Sequence, residues 1–172
     1  AKGITGGYLP LAATLATEKV YEAFLGEISE HKTFYHGHTY TGNALGCAAA
    51  IASLELFDEN GILDAMPEKI SMIENTFERI AELDYVGDVR QCGMMCGIEV
   101  VKDKATGESF PYEKTLGAKL CRAMWDKGAM LRPLSDVIVL MPPVGIDTET
   151  LNKLLEIVYD TLANDLPGII RE

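Results

Sequence analysis

The sequence has 172 residues, 48% of them hydrophobic and 24% charged, with a formal net charge of -11 at pH 7. That balance excludes a disordered chain and leaves room for one domain, or one domain with a piece of another. The negative charge argues against nucleic acid and anionic membrane surfaces, and no apolar run approaches the roughly twenty residues of a membrane span, so the chain is expected to be cytoplasmic, with small molecules and other protein chains as its partners.

The chain opens on Lys2-Gly3-Ile4-Thr5-Gly6-Gly7-Tyr8-Leu9-Pro10-Leu11 and continues as Ala12-Ala13-Thr14-Leu15-Ala16-Thr17. A lysine beside small, permissive residues and before a strand-like run expected to be buried is what an amine held next to a cofactor needs. Taken alone, the same pattern also describes a solvated loop. Ala1 is not methionine and the lysine is already second, so the chain is expected to be a segment of a longer protein. A short helix is predicted from Thr17 to Phe24 with Thr17 as its cap. Gly26 to Lys32 is polar loop. The next stretch, Thr33 to Asn43, is dense in hydroxyls, aromatics and imidazoles and has no hydrophobic period, which predicts a loop that binds something or is packed by its own aromatics.

From Ala44 to Phe57 the pattern is apolar nearly all round a helical wheel, predicting a helix buried on most faces. Its N-terminus at Gly42-Asn43 directs unpaired N–H groups and a positive dipole end toward any bound anion. Gly61 is the expected stop. Ile62 to Leu83 reads as a long amphipathic helix with Leu63, Met66, Ile70, Ile73, Phe77 and Ile80 on one stripe. Two glycine-interrupted strands follow between Tyr85 and Val101, then a polar turn from Asp103 to Phe110. A helix is predicted over Tyr112 to Lys127, with Leu116, Leu120, Ala123 and Met124 inward and Gly128 as its stop. Two strands, Ala129 to Leu134 and Val137 to Pro143, flank a Ser135-Asp136 turn. The last helix starts at Asp147, its cap, and runs to about Leu166. Residues 61–172 therefore predict a small α+β domain with helices on one face of a mostly antiparallel sheet, and residues 1–60 read as the end of a separate α/β domain. The four cysteines lie among apolar neighbours and are expected to be reduced core residues. No acidic or thiol group stands at ligand spacing around His31, His36 and His38, so no metal site is expected.

Three features converge on one kind of ligand. Lys2 offers an amine, Thr39-Tyr40-Thr41-Gly42-Asn43 offers hydroxyls and a helix N-terminus to a phosphate, and Arg132 offers a planar fork to a carboxylate. The opening segment resembles the lysine segment of the class III pyridoxal-phosphate aminotransferases, and His36-Gly37-His38-Thr39-Tyr40-Thr41-Gly42-Asn43 resembles that family's phosphate-contacting turn. Leu131-Arg132-Pro133-Leu134, followed after a short gap by Leu140-Met141-Pro142-Pro143, is similar to one member of that family in particular. The resemblance runs over essentially the whole chain. It implies the C-terminal part of a fold-type I enzyme, with residues 1–60 the end of the large cofactor-binding domain and residues 61–172 the small C-terminal domain.

The resemblance further implies that Lys2 is the catalytic residue, carrying the cofactor on its amine and passing a proton between substrate and cofactor. Lys2, His38 and Thr39 would bind pyridoxal 5'-phosphate, Thr39 that of the partner subunit in a homodimer, while Gly37 and Arg132 would bind the substrate. Plainer readings stand beside these: Thr39 as a residue that only starts a helix, Arg132 as a surface charge beside a proline. Some relatives have an aromatic hydroxyl where Val139 stands, and valine cannot hydrogen-bond there. The upstream parts such an enzyme needs are a glycine-serine phosphate loop, a stacking ring and an aspartate for the pyridine nitrogen. The 172 residues alone are therefore expected neither to hold the cofactor tightly nor to transaminate. The alternatives are another family member acting on an ω-amino acid or diamine, and a non-catalytic structural or oligomerisation module.

Overall fold

The computed structural model describes residues 3–171. The chain divides into two compact units, Ala1–Gly61 and Ile62–Glu172.

In the first unit the opening segment turns on Thr5, a buried residue whose hydroxyl donates to the carbonyl of Leu9 (2.6 Å) and accepts from its N–H (3.3 Å). Helix α1 is short, Glu18–Glu22, and Thr17 precedes it in extended conformation without a side-chain cap bond. Helix α2 spans Ala44–Glu59, capped by the Asn43 side chain, which accepts from Gly46 N–H at 3.0 Å. It ends at Asn60, followed by Gly61 at φ +55°, the left-handed residue that lets the chain leave a helix. Two expectations fail in this unit. The run Ala12–Thr17 is neither strand nor buried: it is irregular and exposed, Leu15 to 96%. Helix α2 buries only Gly46 and Ala50, with Leu45, Ile51, Leu54 and Leu56 exposed. A strand needs a hydrogen-bonded neighbour and an apolar face needs a cover. Among the described residues of this unit the run has no pairing strand, and it is the opening segment, with Leu11 about 3.5 Å from where a Gly46 Cβ would stand, that lies against α2.

In the second unit four antiparallel strands form one sheet in the order β1-β2-β4-β3: β1 Val86–Cys92, β2 Met95–Val100, β3 Arg132–Leu134 and β4 Val137–Leu140. The β1–β2 hairpin turns on Gly93 and Met94, with Gly93 at φ +61°, as a two-residue hairpin with right-handed strand twist demands. Alternation sends Cys96, Ile98, Val100, Ile138 and Leu140 to one face, where all are buried. Helices α3 (Met66–Ala81), α4 (Leu116–Asp126) and α5 (Thr148–Asp160) supply the rest of that core through Ile73, Phe77, Ile80, Leu116, Leu120, Met124, Leu151, Leu155 and Val158. The expected α+β architecture, helices on one side of an antiparallel sheet, is what folds here.

Some boundaries differ from the expectations. Residues 62–65 form a turn, so α3 starts only at Met66 and Leu63 is exposed rather than inward. Pro67, which has no N–H to give, sits in the first turn where none is needed. The helix expected from Tyr112 is broken: a 3-10 turn at Tyr112–Lys114 gives way at Thr115, φ +47°, to α4. Asp147 caps α5 as expected, accepting from Thr150 N–H at 2.7 Å and from the Thr150 hydroxyl at 2.8 Å. The helical path then widens to a π turn over Thr161–Asp165 before α6, Leu166–Ile169, with Pro167 in its first turn. Of the cysteines, Cys96 and Cys121 are buried, but Cys47 is half-buried and Cys92, on the open face at the hairpin end, is exposed.

Candidate active site

Lys2 lies outside the described residues; the segment that comes after it turns on Thr5 and brings Leu11 against α2 at Gly46. Gly37, His38 and Thr39 share one exposed loop that leads into the same helix. This loop is organised by rings. Phe24 and Phe34 stand 4.9 Å apart between centroids, Phe34 and His36 5.2 Å, and His36 meets His38 edge-on at 5.0 Å. Such offset and edge contacts add to simple burial and give an irregular segment a defined path. The loop then turns: His38 N–H donates to the Thr41 hydroxyl (3.2 Å), Thr41 N–H to the His38 carbonyl (3.0 Å) and Asn43 N–H to the Tyr40 carbonyl (3.2 Å). Gly42 takes φ +69° just before the cap. Thr39 is exposed, and its N–H and hydroxyl have no hydrogen-bond partner among the described residues. Unspent donors one turn ahead of a sixteen-residue helix are suited to an anion. Of the two possibilities its composition allowed, the ring contacts bear out a loop packed by its own aromatics.

Arg132 opens β3 in the second unit, paired in register with Val139 of β4, so both point to the face of the sheet that the helices leave uncovered. Farther along this face Arg90 bridges Asp88 (2.5 Å) and Glu99 (2.6 Å), which raises the Arg90 pKa first through Glu99 and then through Asp88. Arg132 has no carboxylate partner among the described residues. Around it are apolar groups: Trp125, Met130, Leu131, Val139 and Met141 line a groove of about 390 Å³ with Arg132. A guanidinium that is exposed, unpaired and set on an apolar floor can donate two parallel N–H bonds to a carboxylate, whose carbon chain then lies against the floor. A larger groove, about 430 Å³, lies beyond Met130 and Met141 and does not include Arg132; its one cation, Lys153, is already paired with Glu149 at 2.6 Å.

Sequence reasoning passed over Trp125. It sits on the last turn of α4, one position past the inward-facing Met124, and its indole N–H donates to the Leu131 carbonyl at 2.7 Å, immediately before Arg132. A tryptophan just outside an inward stripe was the available signal. Lys69 was also missed: a buried lysine on α3 whose ammonium donates to the Val144 carbonyl at 2.8 Å, fixing the turn after β4. Among the described residues no three His, Cys, Asp or Glu side chains gather as a metal site, and no helix is long and apolar enough to cross a membrane.

Comparison with known proteins gives a consistent result. A protein from Geobacter sulfurreducens bearing the name adenosylmethionine-8-amino-7-oxononanoate aminotransferase is 52% identical over 155 residues, 90% of this chain and 34% of that protein. Its namesake from Aquifex aeolicus is 53% identical over the same shares. The crystal structure of the Methanocaldococcus jannaschii protein of that name superposes with a TM-score of 0.86 at 45% identity, covering 94% of this chain and 37% of that one. An (S)-enantioselective omega-transaminase from Thermomicrobium roseum matches at 34% identity and a TM-score of 0.84, covering 96% and 36%. The chain therefore spans about a third of the length of the relatives it matches, and its fold is that of the corresponding part of the fold-type I aminotransferases. The aminotransferase class-III family model matches residues 1–162, and the chain belongs to that family.

Proposed function

We propose that the protein carrying this chain is a pyridoxal 5'-phosphate-dependent aminotransferase that moves an amino group from S-adenosylmethionine to 8-amino-7-oxononanoate, giving 7,8-diaminononanoate for biotin synthesis in the cytoplasm. The observation that carries the reading is the unpaired, exposed Arg132 guanidinium on its apolar floor, in a chain 52% identical to a relative with that name. In this reading Ala1–Gly61 is the end of the large cofactor-binding domain and Ile62–Glu172 the small C-terminal domain.

The residues present fit the cofactor. Its phosphate suits the unspent Thr39 N–H and hydroxyl, with His38 beside them and the Asn43-capped helix behind, Thr39 serving the site of the partner subunit in a homodimer. Lys2 supplies the amine that holds the cofactor and moves the proton at the reacting carbon. When bound, the cofactor supplies the electron sink that makes the substrate's amine-bearing carbon acidic. Arg132 holds the substrate carboxylate and so fixes how far along the chain the reacting carbon lies from its anchored end. Gly37 is a substrate contact in the same reading, offered by the loop of the first unit.

The test uses the full protein with added pyridoxal 5'-phosphate: borohydride reduction, then mass measurement of the peptide bearing Lys2. A cofactor-sized increment on that peptide is the expected result, and an unlabelled Lys2 overturns the reading. The similarity to the Thermomicrobium omega-transaminase favours a second reading, an aminotransferase for ω-amino acids or diamines. Turnover of the oxononanoate but not of simple ω-amino acids separates the two.

A further inference from the structure

Arg132 explains where a carboxylate would bind, but not where the rest of an acid's carbon chain would lie. Two grooves of about 330 and 390 Å³ share Trp125, Leu131 and Arg132. Each is at the small end of the range for small-molecule sites. The indole is not a loose surface ring. Its N–H is spent on the Leu131 carbonyl at 2.7 Å, so the rest of the ring is an apolar surface fixed to the strand that begins one residue later with Arg132. On the other side, the Arg122 guanidinium stands 5.8 Å from the ring centroid and is itself paired with Asp126 at 3.7 Å. Arg122 thus has a carboxylate beside it, in a solvent-exposed pair, and Arg132 is the cation of these grooves without one among the described residues. The floor beyond Arg132 is Met130, Val139 and Met141, apolar and able to reshape around a chain.

We propose that Trp125 is the specificity-determining residue of this site: its pinned indole forms the wall along which the methylene chain of an aliphatic monocarboxylate packs once the carboxylate is held by Arg132. The inference rests on the reading of Arg132 as a carboxylate anchor. A short acid reaches only the guanidinium. A longer one gains roughly fourfold in affinity for each methylene it removes from water against the ring. Val139 supports the same selection, because at the position paired with Arg132 it offers no hydrogen bond to a polar chain.

The experiment is calorimetric titration of the full protein with acetate, pentanoate, nonanoate and nonan-1-ol, repeated on Trp125→Ala, Trp125→Phe and Arg132→Gln. In the unsubstituted protein nonanoate binds at least tenfold more tightly than pentanoate, and nonanol binds weakly. Trp125→Ala removes the nonanoate preference yet leaves acetate within about threefold of its original affinity, which a merely structural role of the tryptophan would not do. Trp125→Phe keeps a ring but not the N–H that pins it, and retains only part of the preference. Arg132→Gln loses acetate and nonanoate alike. Chain-length preference that survives Trp125→Ala overturns the role of Trp125 while Arg132 stands. Nonanoate binding that survives Arg132→Gln, or the absence of carboxylate binding to the unsubstituted protein, overturns the anchor and with it the proposal.

Discussion

Replacing Gly117 with alanine should destabilise the second unit, against the ordinary rule for helices. Gly117 lies in the first turn of α4, where exchange of glycine for alanine normally contributes up to about 1 kcal/mol. Here the helix presses on the β3–β4 turn. An alanine Cβ would fall 2.1 Å from the Ser135 carbonyl oxygen and 2.9 Å from the Pro133 Cβ. The first neighbour is backbone, in a turn whose Ser135 already sits at φ +54°, so it cannot swing aside as a side-chain end could. Helix and turn must part by about 1.3 Å to reach ordinary contact. Overpacking of this kind costs about 1–3 kcal/mol. The separation also stretches the bond from Gly117 N–H to the Asp136 carboxylate, 3.2 Å, worth about another 1 kcal/mol. The propensity gain offsets only part of this, leaving a net loss of about 1–3 kcal/mol. For a domain of roughly a hundred residues that lowers Tm by about 5–15 °C. The assay is urea and thermal denaturation followed by circular dichroism. Gly168→Ala in α6 serves as the matched control, since nothing lies within 4 Å of its added methyl. A Gly117→Ala protein as stable as Gly168→Ala would refute the close-approach argument.

Two further outcomes test other parts of the fold. Lys69→Met keeps the packing volume of a buried residue but leaves the Val144 carbonyl without its donor, and should cost about 1–3 kcal/mol in the same denaturation experiment; a loss under about 0.5 kcal/mol would show that solvent replaces the ammonium. The exposed Cys92 should react with a thiol reagent at pH 8 in the folded protein, whereas Cys96 and Cys121 should react only on unfolding, because burial pushes both thiols up to about 11, Cys96 with a lesser contribution from Cys92. Stability should respond to pH with the matching sign. The unfolded thiols ionise near 9.0 and the folded ones near 11, so the unfolded state sheds protons first, and the stabilising contribution present below about pH 9 is lost as pH rises toward 11. A denaturation midpoint that is flat from pH 8 to 10.5 would contradict this.

How much was legible in the sequence depended on the range of the interactions involved. The stripe of α3 from Ile70 to Ile80, the start of α2 after Gly42-Asn43, the cap at Asp147 and the stops at Gly61 and Gly128 all rest on contacts within a few residues, and periodicity and turn chemistry describe such contacts well. The antiparallel sheet with its helices on one side followed from the order of those elements. The motifs at Lys2, Thr39 and Arg132 were legible as residue types in a recognisable arrangement, although Lys2 lies outside the described residues.

Tertiary structure alone decided which apolar residues were covered. The run Ala12–Thr17 and the outer positions of α2 read as buried by composition, but burial is conferred by a neighbour, and within their own unit the described residues bring none to them. The same holds for the Thr115 break, which comes where α4 must meet the β3–β4 turn through Gly117, a contact with residues eighteen positions away. It holds most clearly for Trp125. Nothing in the local pattern says that its indole N–H reaches the Leu131 carbonyl, because that bond exists only once α4 has packed on β3. Local preference accounts for most of the helices and strands, their order and the chemistry available along the chain. Folding decided that an arginine on an edge strand stands unpaired beside a pinned tryptophan, because packing between elements, not local preference, sets which polar groups are spent and which stay free to bind.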